Sequence, residues 1–85
     1  FKYIESLDLS YNFLNVLNFG EYINKPSSLE YLELGFSDIK KIPEFSFKYY
    51  ENLKKLYLYH NNLESIEKNS FKYLYNLDAL ELSYN

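Results

Sequence analysis

The sequence predicts an α/β solenoid, in which short parallel strands stack into a curved sheet on the concave side and irregular or short helical segments return along the convex side. The first observation is a leucine pattern that begins at residues 4, 29, 53 and 77, at intervals of 25, 24 and 24 residues. The second is the alternation of apolar and polar residues within each copy, which is the period of a half-buried strand. The third is an aromatic residue that recurs in the second half of each full copy. A constant period of this length indicates stacked repeats.

Four copies of the strand segment define the predicted sheet. They cover residues 4–14, 29–39, 53–63 and 77–85. One short strand cannot bury its apolar side alone, so we expect the four to pair in parallel, about 4.8 Å apart. The leucines at the fourth and sixth positions of each copy then form one continuous core, which consists of Leu7, Leu9, Leu32, Leu34, Leu56, Leu58, Leu80 and Leu82.

The return segments supply a second set of apolar residues, which we expect to close this core from the convex side. Its members are Leu17, Tyr22, Ile42, Phe47, Tyr50, Ile66, Phe71 and Leu74. The first return segment is longer by one residue and contains Gly20 and Pro26, so we expect an irregular bulge between Leu17 and Leu29. A tolerated insertion and a ligand-gripping loop both fit that bulge, because surface loops accept extra residues at small cost.

The pattern resembles the leucine-rich repeat family, whose motif is L-x-x-L-x-L-x-x-N-x-L, across essentially the whole chain. The four copies read IESLDLSYNFL, LEYLELGFSDI, LKKLYLYHNNL and the shorter LDALELSYN. The resemblance divides residues 1–85 into repeats at about 4–28, 29–52 and 53–76 and a partial repeat at 77–85. A 24-residue repeat with Phe in its second half is similar to the subclass common in extracellular and receptor ectodomains.

Asn12, Asn61 and Asn85 stand where the chain leaves each predicted strand, and Ser37 takes this place in the second repeat. A buried amide there can hydrogen-bond the backbone of its own turn and of the neighbouring turn, where the sheet ladder does not reach. Ser offers one side-chain donor where Asn offers two, so we expect weaker bonding at Ser37 or help from water. We interpret these four residues as structural and not catalytic.

With the leucines inward, the alternate strand residues point to the concave side. They are Ser6, Asp8, Ser10, Tyr31, Glu33, Gly35, Lys55, Tyr57, Tyr59, Ala79, Glu81 and Ser83. The resemblance adds the next residue of each repeat, which gives Tyr11, Phe36, His60 and Tyr84 as a column of stacked rings. Three interpretations of this column stay open: rings that stabilise the sheet, an aromatic-rich composition, or rigid anchors of a recognition surface.

Acidic residues share the concave side with these rings. Asp8 and Glu33 lie side by side on neighbouring predicted strands, and Glu81 lies two strands beyond Glu33. Like charges so placed cost some stability, which either solvation or a basic partner surface can explain. The positive charges of Lys54 and Lys55 are expected to weaken the negative electrostatic potential of these carboxylates. Because two or three carboxylates fall short of the six to eight oxygen ligands that calcium takes, we predict no metal site.

Composition disfavours several classes of protein. Cysteine is absent, which excludes disulfide scaffolds, cysteine zinc sites and thiol nucleophiles from these residues. All nine basic residues are Lys and the net charge is −3, which disfavours nucleic acid as a partner. The sequence lacks a stretch of about twenty apolar residues, so we predict no membrane insertion. It also lacks a Gly-rich phosphate loop, so we predict no cofactor. His60 has no nucleophile placed beside it, so we predict no catalytic residue, with a pH-sensitive partner contact as the alternative role.

The sequence therefore predicts a non-enzymatic module that presents its concave side to a protein or peptide partner. The expected contact residues are Asp8, Tyr11, Tyr31, Glu33, Phe36, Tyr57, Tyr59, His60, Glu81 and Tyr84. The resemblance implies a cell-surface or secreted receptor or innate-recognition protein, and the cytoplasm is the alternative location. Dimerisation of the parent protein, with itself or with another protein, stays open. Two other functions stay open: spacer repeats in a larger solenoid, and a regulatory array attached to a catalytic domain elsewhere.

Repeat solenoids carry polar capping units at their ends. The sequence has none, so we expect an excerpt of a longer protein. We also expect the isolated segment to be marginally stable, to leave Leu82 exposed and to stack end to end.

Overall fold

The computed structural model of the chain describes residues 4–12 and 28–85. Six short strands cover part of these residues: β1 (Ser6–Asp8), β2 (Tyr31–Glu33), β3 (Lys41–Ile42), β4 (Lys55–Tyr57), β5 (Ser65–Ile66) and β6 (Ala79–Glu81). The predicted bulge between Leu17 and Leu29, together with Tyr22, lies essentially outside the described residues.

The main sheet contains the four leucine-bearing strands in the order β1-β2-β4-β6, all parallel. Its register aligns Leu7, Leu32, Leu56 and Leu80 across the sheet. The repeat length of 24 or 25 residues produces this register, because one repeat per turn of the solenoid brings the same position of each repeat to the same height. The fold class predicted from the leucine period, a parallel-stranded repeat solenoid, is confirmed.

The return segments begin with a second, smaller sheet that the leucine pattern did not predict. Strands β3 and β5 pair in parallel, with Ile42 opposite Ile66. After each of these strands the chain continues through successive turns that are closed by hydrogen bonds between residues three apart, such as the bond from Tyr50 N to Phe47 O at 3.1 Å. Irregular return segments were expected, and the described residues contain no α-helix.

The core lies between the two sheets and the turns, and it consists of the second and third repeats. Its fully or almost fully buried apolar residues are Leu29, Leu32, Leu34, Ile39, Ile42, Phe47, Tyr50, Leu53, Leu56 and Leu58. Each such side chain contributes about 1.5–3 kcal/mol relative to exposure. Leu7, Leu9, Phe71 and Leu74 pack against this core while remaining partly exposed. Burial raises the pKa of Tyr50, which supports its predicted place in the core.

Two residues assigned to the core by their spacing are exposed instead. Leu80 in β6 is 39% exposed and Ile66 in β5 is 46% exposed. Both belong to strands that pair on only one side among the described residues. Ile42, at the equivalent position one repeat earlier, also lies in a strand that pairs on one side and is fully buried, so one-sided pairing alone does not expose a side chain. The prediction for these two side chains was wrong because periodicity gives the direction of a side chain and not its cover.

Candidate recognition surface

The concave face consists of the ten predicted contact residues, and the structure brings all of them to one side of the main sheet. Five lie in strands, four lie in the turns that follow the strands, and Tyr59 lies between β4 and its turn. The strand members are Asp8, Tyr31, Glu33, Tyr57 and Glu81; the turn members are Tyr11, Phe36, His60 and Tyr84. The register places Asp8 beside Glu33, Glu33 beside Tyr57, and Tyr57 beside Glu81.

The aromatic column is the stack of Tyr11, Phe36, His60 and Tyr84. Ring centroids are separated by 4.8 Å, 4.4 Å and 4.2 Å in that order, and successive planes differ by 2°, 10° and 6°. These separations are close to the spacing of neighbouring strands, about 4.8 Å, so the parallel sheet itself sets the distance between rings. The stacking expected from the sequence is confirmed as geometry, while the binding of a partner by the column stays a prediction.

A left-handed turn aims each ring of the column at the concave face. The φ angles of Tyr11, Phe36, His60 and Tyr84 are 62°, 55°, 52° and 60°, a region that bulky residues rarely adopt. Backbone bonds to the next repeat hold the turn in place: Tyr11 N donates to Gly35 O at 3.1 Å, and His60 N donates to Ser83 O at 3.1 Å. The contacts between repeats therefore maintain a strained conformation that one repeat alone would not.

Side-chain amides support these turns from inside the molecule. The Nδ2 of Asn61 donates to Leu34 O at 3.0 Å and to Leu58 O at 2.9 Å, and its Oδ1 accepts the N–H of Ser37 at 2.9 Å and of Ile39 at 3.1 Å. One buried side chain thus joins two repeats, as the sequence predicts.

The other positions of this amide ladder follow the same plan with fewer bonds. Asn85 Nδ2 reaches Leu58 O at 3.0 Å, and Asn12 Nδ2 reaches Leu9 O at 2.8 Å. Ser37 is fully buried, and its hydroxyl lies 3.2 Å from Leu9 O. The shorter side chain reaches its carbonyl over a longer distance, in keeping with the weaker bonding expected there.

Three carboxylates of the concave face hydrogen-bond the backbone two residues further on. Asp8 Oδ1 accepts the N–H of Ser10 at 2.9 Å, and Glu81 Oε1 accepts the N–H of Ser83 at 2.9 Å. In both cases the serine hydroxyl also donates to the same oxygen. These bonds, the hydroxyl first and the backbone second, lower the pKa of Asp8 and of Glu81. The carboxylates therefore stabilise the ends of their strands in addition to carrying charge.

Glu33 makes the same backbone bond and also anchors a tyrosine. Its Oε1 accepts the N–H of Gly35 at 3.0 Å, and its Oε2 accepts the hydroxyl of Tyr59 at 3.1 Å. The Tyr59 ring lies over Gly35 so closely that a Cβ there would stand 2.8 Å from Cε2 of the ring. The bond to Glu33 is the main cause that raises the pKa of Tyr59. Tyr59 is thus a packed member of the face, held by its neighbours.

The two lysines expected beside the carboxylates take different places. Lys55 lies next to Tyr31 in the register, with its Nζ 5.8 Å from the centroid of that ring. Lys54 instead pairs with Glu30 at 2.9 Å, and this hydrogen bond raises the pKa of Lys54. Lys54 and Glu30 line a polar cavity of about 650 Å³ where the strands begin, away from the aromatic column. Lys55 is therefore the lysine positioned to moderate the field of the concave face.

Sequence reasoning missed Ser10, Gly35 and Ser83 as partners of the carboxylates. The signal was present in the aligned copies, where an acidic residue precedes Ser, Gly or Ser by two positions in three of the four repeats. The third repeat has Tyr57 and Tyr59 at these two positions.

The described residues, 4–12 and 28–85, contain no cluster of three or more metal-ligating side chains. Within the same ranges, no helix has the length and apolar character needed to cross a membrane.

Comparison with known proteins agrees with this architecture. The family model described as leucine rich repeat matches residues 27–85, which is more than half of the chain. Among the curated proteins compared, none matches the chain.

Proposed function

The chain belongs to the leucine-rich repeat family, whose repeats generally serve as protein-interaction modules, and from that premise we propose that the concave face binds a protein or peptide partner. The observation that carries the proposal is the aromatic column. It is continuous across four strands, and its end members Tyr11 and Tyr84 are each 74% exposed. Rigid amphipathic rings of this kind supply contact area at low cost in conformational entropy.

The charges of the face favour a partner that presents basic side chains. The bonds to Ser10 and Ser83 use one oxygen of Asp8 and one of Glu81, which leaves each carboxylate a second oxygen as an acceptor. An Arg or Lys of the partner could approach these oxygens while its aliphatic stem lies against the rings. The same carboxylates attract such a partner electrostatically before contact.

The parent protein, in this proposal, acts at the cell surface or outside the cell as a receptor or innate-recognition protein. Support comes from the 24-residue period and the recurring Phe47 and Phe71, which resemble repeats of extracellular ectodomains. Phe47 is buried and stacks on Phe71 with ring centroids 6.0 Å apart, which explains why the repeat requires this aromatic.

The test selects binders from a displayed library of random peptides, with the full chain as bait. We expect the selected peptides to be rich in Lys and Arg. Their affinity should fall about tenfold or more when Tyr11→Ala and Tyr84→Ala are combined, because exposed rings of this kind carry much of the binding energy of an interface. Tyr59 is a poor choice for this substitution since its removal also disturbs Gly35 and Glu33.

A matched control places the same change on the return segments, where Tyr49→Ala and Tyr75→Ala should leave peptide affinity unchanged. Circular dichroism of every variant checks that the fold is retained. If peptides bind but the Tyr11 and Tyr84 variant retains full affinity with an intact fold, the concave face is not the binding surface and the repeats act as spacers.

A further inference from the structure

A second group of aromatic residues is exposed on the return segments, away from the concave face. The aromatic ledge consists of Phe45, Tyr49, Tyr73 and Tyr75 together with Lys48 and Lys72. Tyr75 is 73% exposed and Tyr49 is 62% exposed, while Phe45 and Tyr73 are partly exposed beside them. Clustered exposed rings of this size mark interaction surfaces more often than isolated ones do.

Three rings of the ledge form a chain of contacts, Phe45 to Tyr73 to Tyr75, and lysines lie over Phe45, Tyr73 and Tyr49. Phe45 and Tyr73 have centroids 5.9 Å apart, and Tyr73 and Tyr75 have centroids 6.0 Å apart. Lys72 Nζ lies 5.9 Å from the Phe45 centroid and 5.6 Å from that of Tyr73, and Lys48 Nζ lies 5.5 Å from that of Tyr49. A cation held over a ring keeps its N–H donors for an anion on the solvent side.

Backbone requirements do not account for the aromatic ring at position 45. Phe45 has a φ of 58°, in the left-handed region that Asn tolerates better than a bulky residue. One repeat later the equivalent position is Asn69, with a φ of 62°. The turn therefore accepts the residue type that suits it, and Phe45 stands there despite the backbone.

We propose that the aromatic ledge binds the surface of a lipid bilayer that contains anionic headgroups. Aromatic rings with one apolar and one polar side lie stably at the boundary between headgroups and acyl chains. Lysines beside them attract anionic lipids. Side chains that protrude from the return segments fit a broad flat surface, whereas bound peptides usually occupy a groove or extend a sheet edge. None of the six ledge residues lines the cavity at the start of the strands.

The attraction is local, because the chain as a whole carries a net charge of −3. Exposed Glu44 is adjacent to Phe45 in the chain, and its charge opposes that of Lys48 and Lys72. The ledge should therefore bind anionic membranes reversibly, and binding should weaken as salt screens the lysines.

The test sediments the full chain with vesicles of phosphatidylcholine, with or without phosphatidylserine. We expect the chain to pellet with vesicles that contain phosphatidylserine and to lose most of that binding when Tyr49→Ser and Tyr75→Ser are combined. Lys48→Gln should weaken binding about fivefold, the effect of one basic residue near an anionic surface. Glu44→Gln should strengthen vesicle binding, because it removes the charge that opposes the lysines. Partial unfolding does not predict opposite effects of Lys48→Gln and Glu44→Gln.

The matched control combines Tyr11→Ser and Tyr84→Ser, which removes two equally exposed tyrosines from the aromatic column. This variant should sediment as the original chain does. Failure of the original chain to pellet, or equal loss in the control and ledge variants, would overturn the proposal. Retention of the chain by immobilised polyglutamate, without any binding to vesicles, would also overturn it and would identify an acidic peptide as the occupant.

Discussion

Replacing Asn61 with Ala tests the amide ladder that joins neighbouring repeats. The substitution removes both bonds accepted by Oδ1, from Ser37 N and Ile39 N, and the bonds donated by Nδ2 to Leu34 O and Leu58 O. Leu58 O retains a second donor in Asn85 Nδ2 at 3.0 Å. Three backbone groups, two N–H and one C=O, are therefore left without the partner that the native side chain supplies.

The expected cost follows from the burial of this site. Each buried group left unsatisfied costs about 1–3 kcal/mol, so three together should lower the free energy of unfolding by about 3–9 kcal/mol. A domain of this length has a free energy of unfolding of about 4–13 kcal/mol in total. Asn61→Ala should thus remove most of the free energy of unfolding or unfold the chain. Asn61→Ser, which keeps one donor as Ser37 does, should cost less.

Urea denaturation followed by circular dichroism measures the difference. The matched control is Asn12→Ala at the same position of the first repeat, where Asn12 is exposed and donates to Leu9 O and Ser10 O. Water can replace it there, so the control should cost less than about 1 kcal/mol. Equal losses for Asn61→Ala and Asn12→Ala, or a loss below about 1 kcal/mol for Asn61→Ala, would refute the structural role of the ladder.

Two further predictions concern cover of the core and acid stability. Ile42→Ala should lower the free energy of unfolding by about 2–5 kcal/mol and Ile66→Ala by roughly 1 kcal/mol, because the second side chain is half exposed; equal losses in urea denaturation would contradict the assigned burial. The lowered pKa of Asp8 contributes stability that is complete above the unfolded pKa and is lost as pH falls through the lower folded value, below about pH 4. Ser10→Ala should raise the folded pKa of Asp8 toward its ordinary value in a carboxyl NMR titration, and an unchanged pKa would show that the hydroxyl bond is not the main cause.

The sheet was predictable because its periodicity is explicit in the sequence. The recurrence of Leu7, Leu32, Leu56 and Leu80 at intervals of 25, 24 and 24 residues indicates both the direction of these side chains and the register of the strands. The aromatic column needed one more step, since Tyr11 and its counterparts stand beyond the alternating segment. Their direction depends on a left-handed turn, which strand periodicity does not specify.

The internal bonds of the concave face were less accessible to sequence reasoning. Asp8, Glu33 and Glu81 were expected to be exposed charges, and solvation or a basic partner was expected to explain them. The structure adds a third explanation, which is the N–H two residues further on. Tyr59 was expected to be a free anchor, and its packing over Gly35 depends on contact between neighbouring repeats.

Sequence alone determined the class of fold, the inward leucines, the Asn positions and the strand residues of the concave face, because all of these follow from a repeated period. The place of the aromatic column on that face was implied by the family resemblance. Only the tertiary structure decided which side chains are buried and which are fixed by contacts with their neighbours. Ile42 is buried and Ile66 is exposed although they occupy the same position in successive repeats and lie opposite each other in paired strands. The contacts within the aromatic ledge likewise join residues at different positions of the repeat, Phe45, Tyr73 and Tyr75, which the return turns bring together. A repeated period specifies the direction of each side chain, whereas the contacts between side chains of neighbouring repeats depend on how the chain packs.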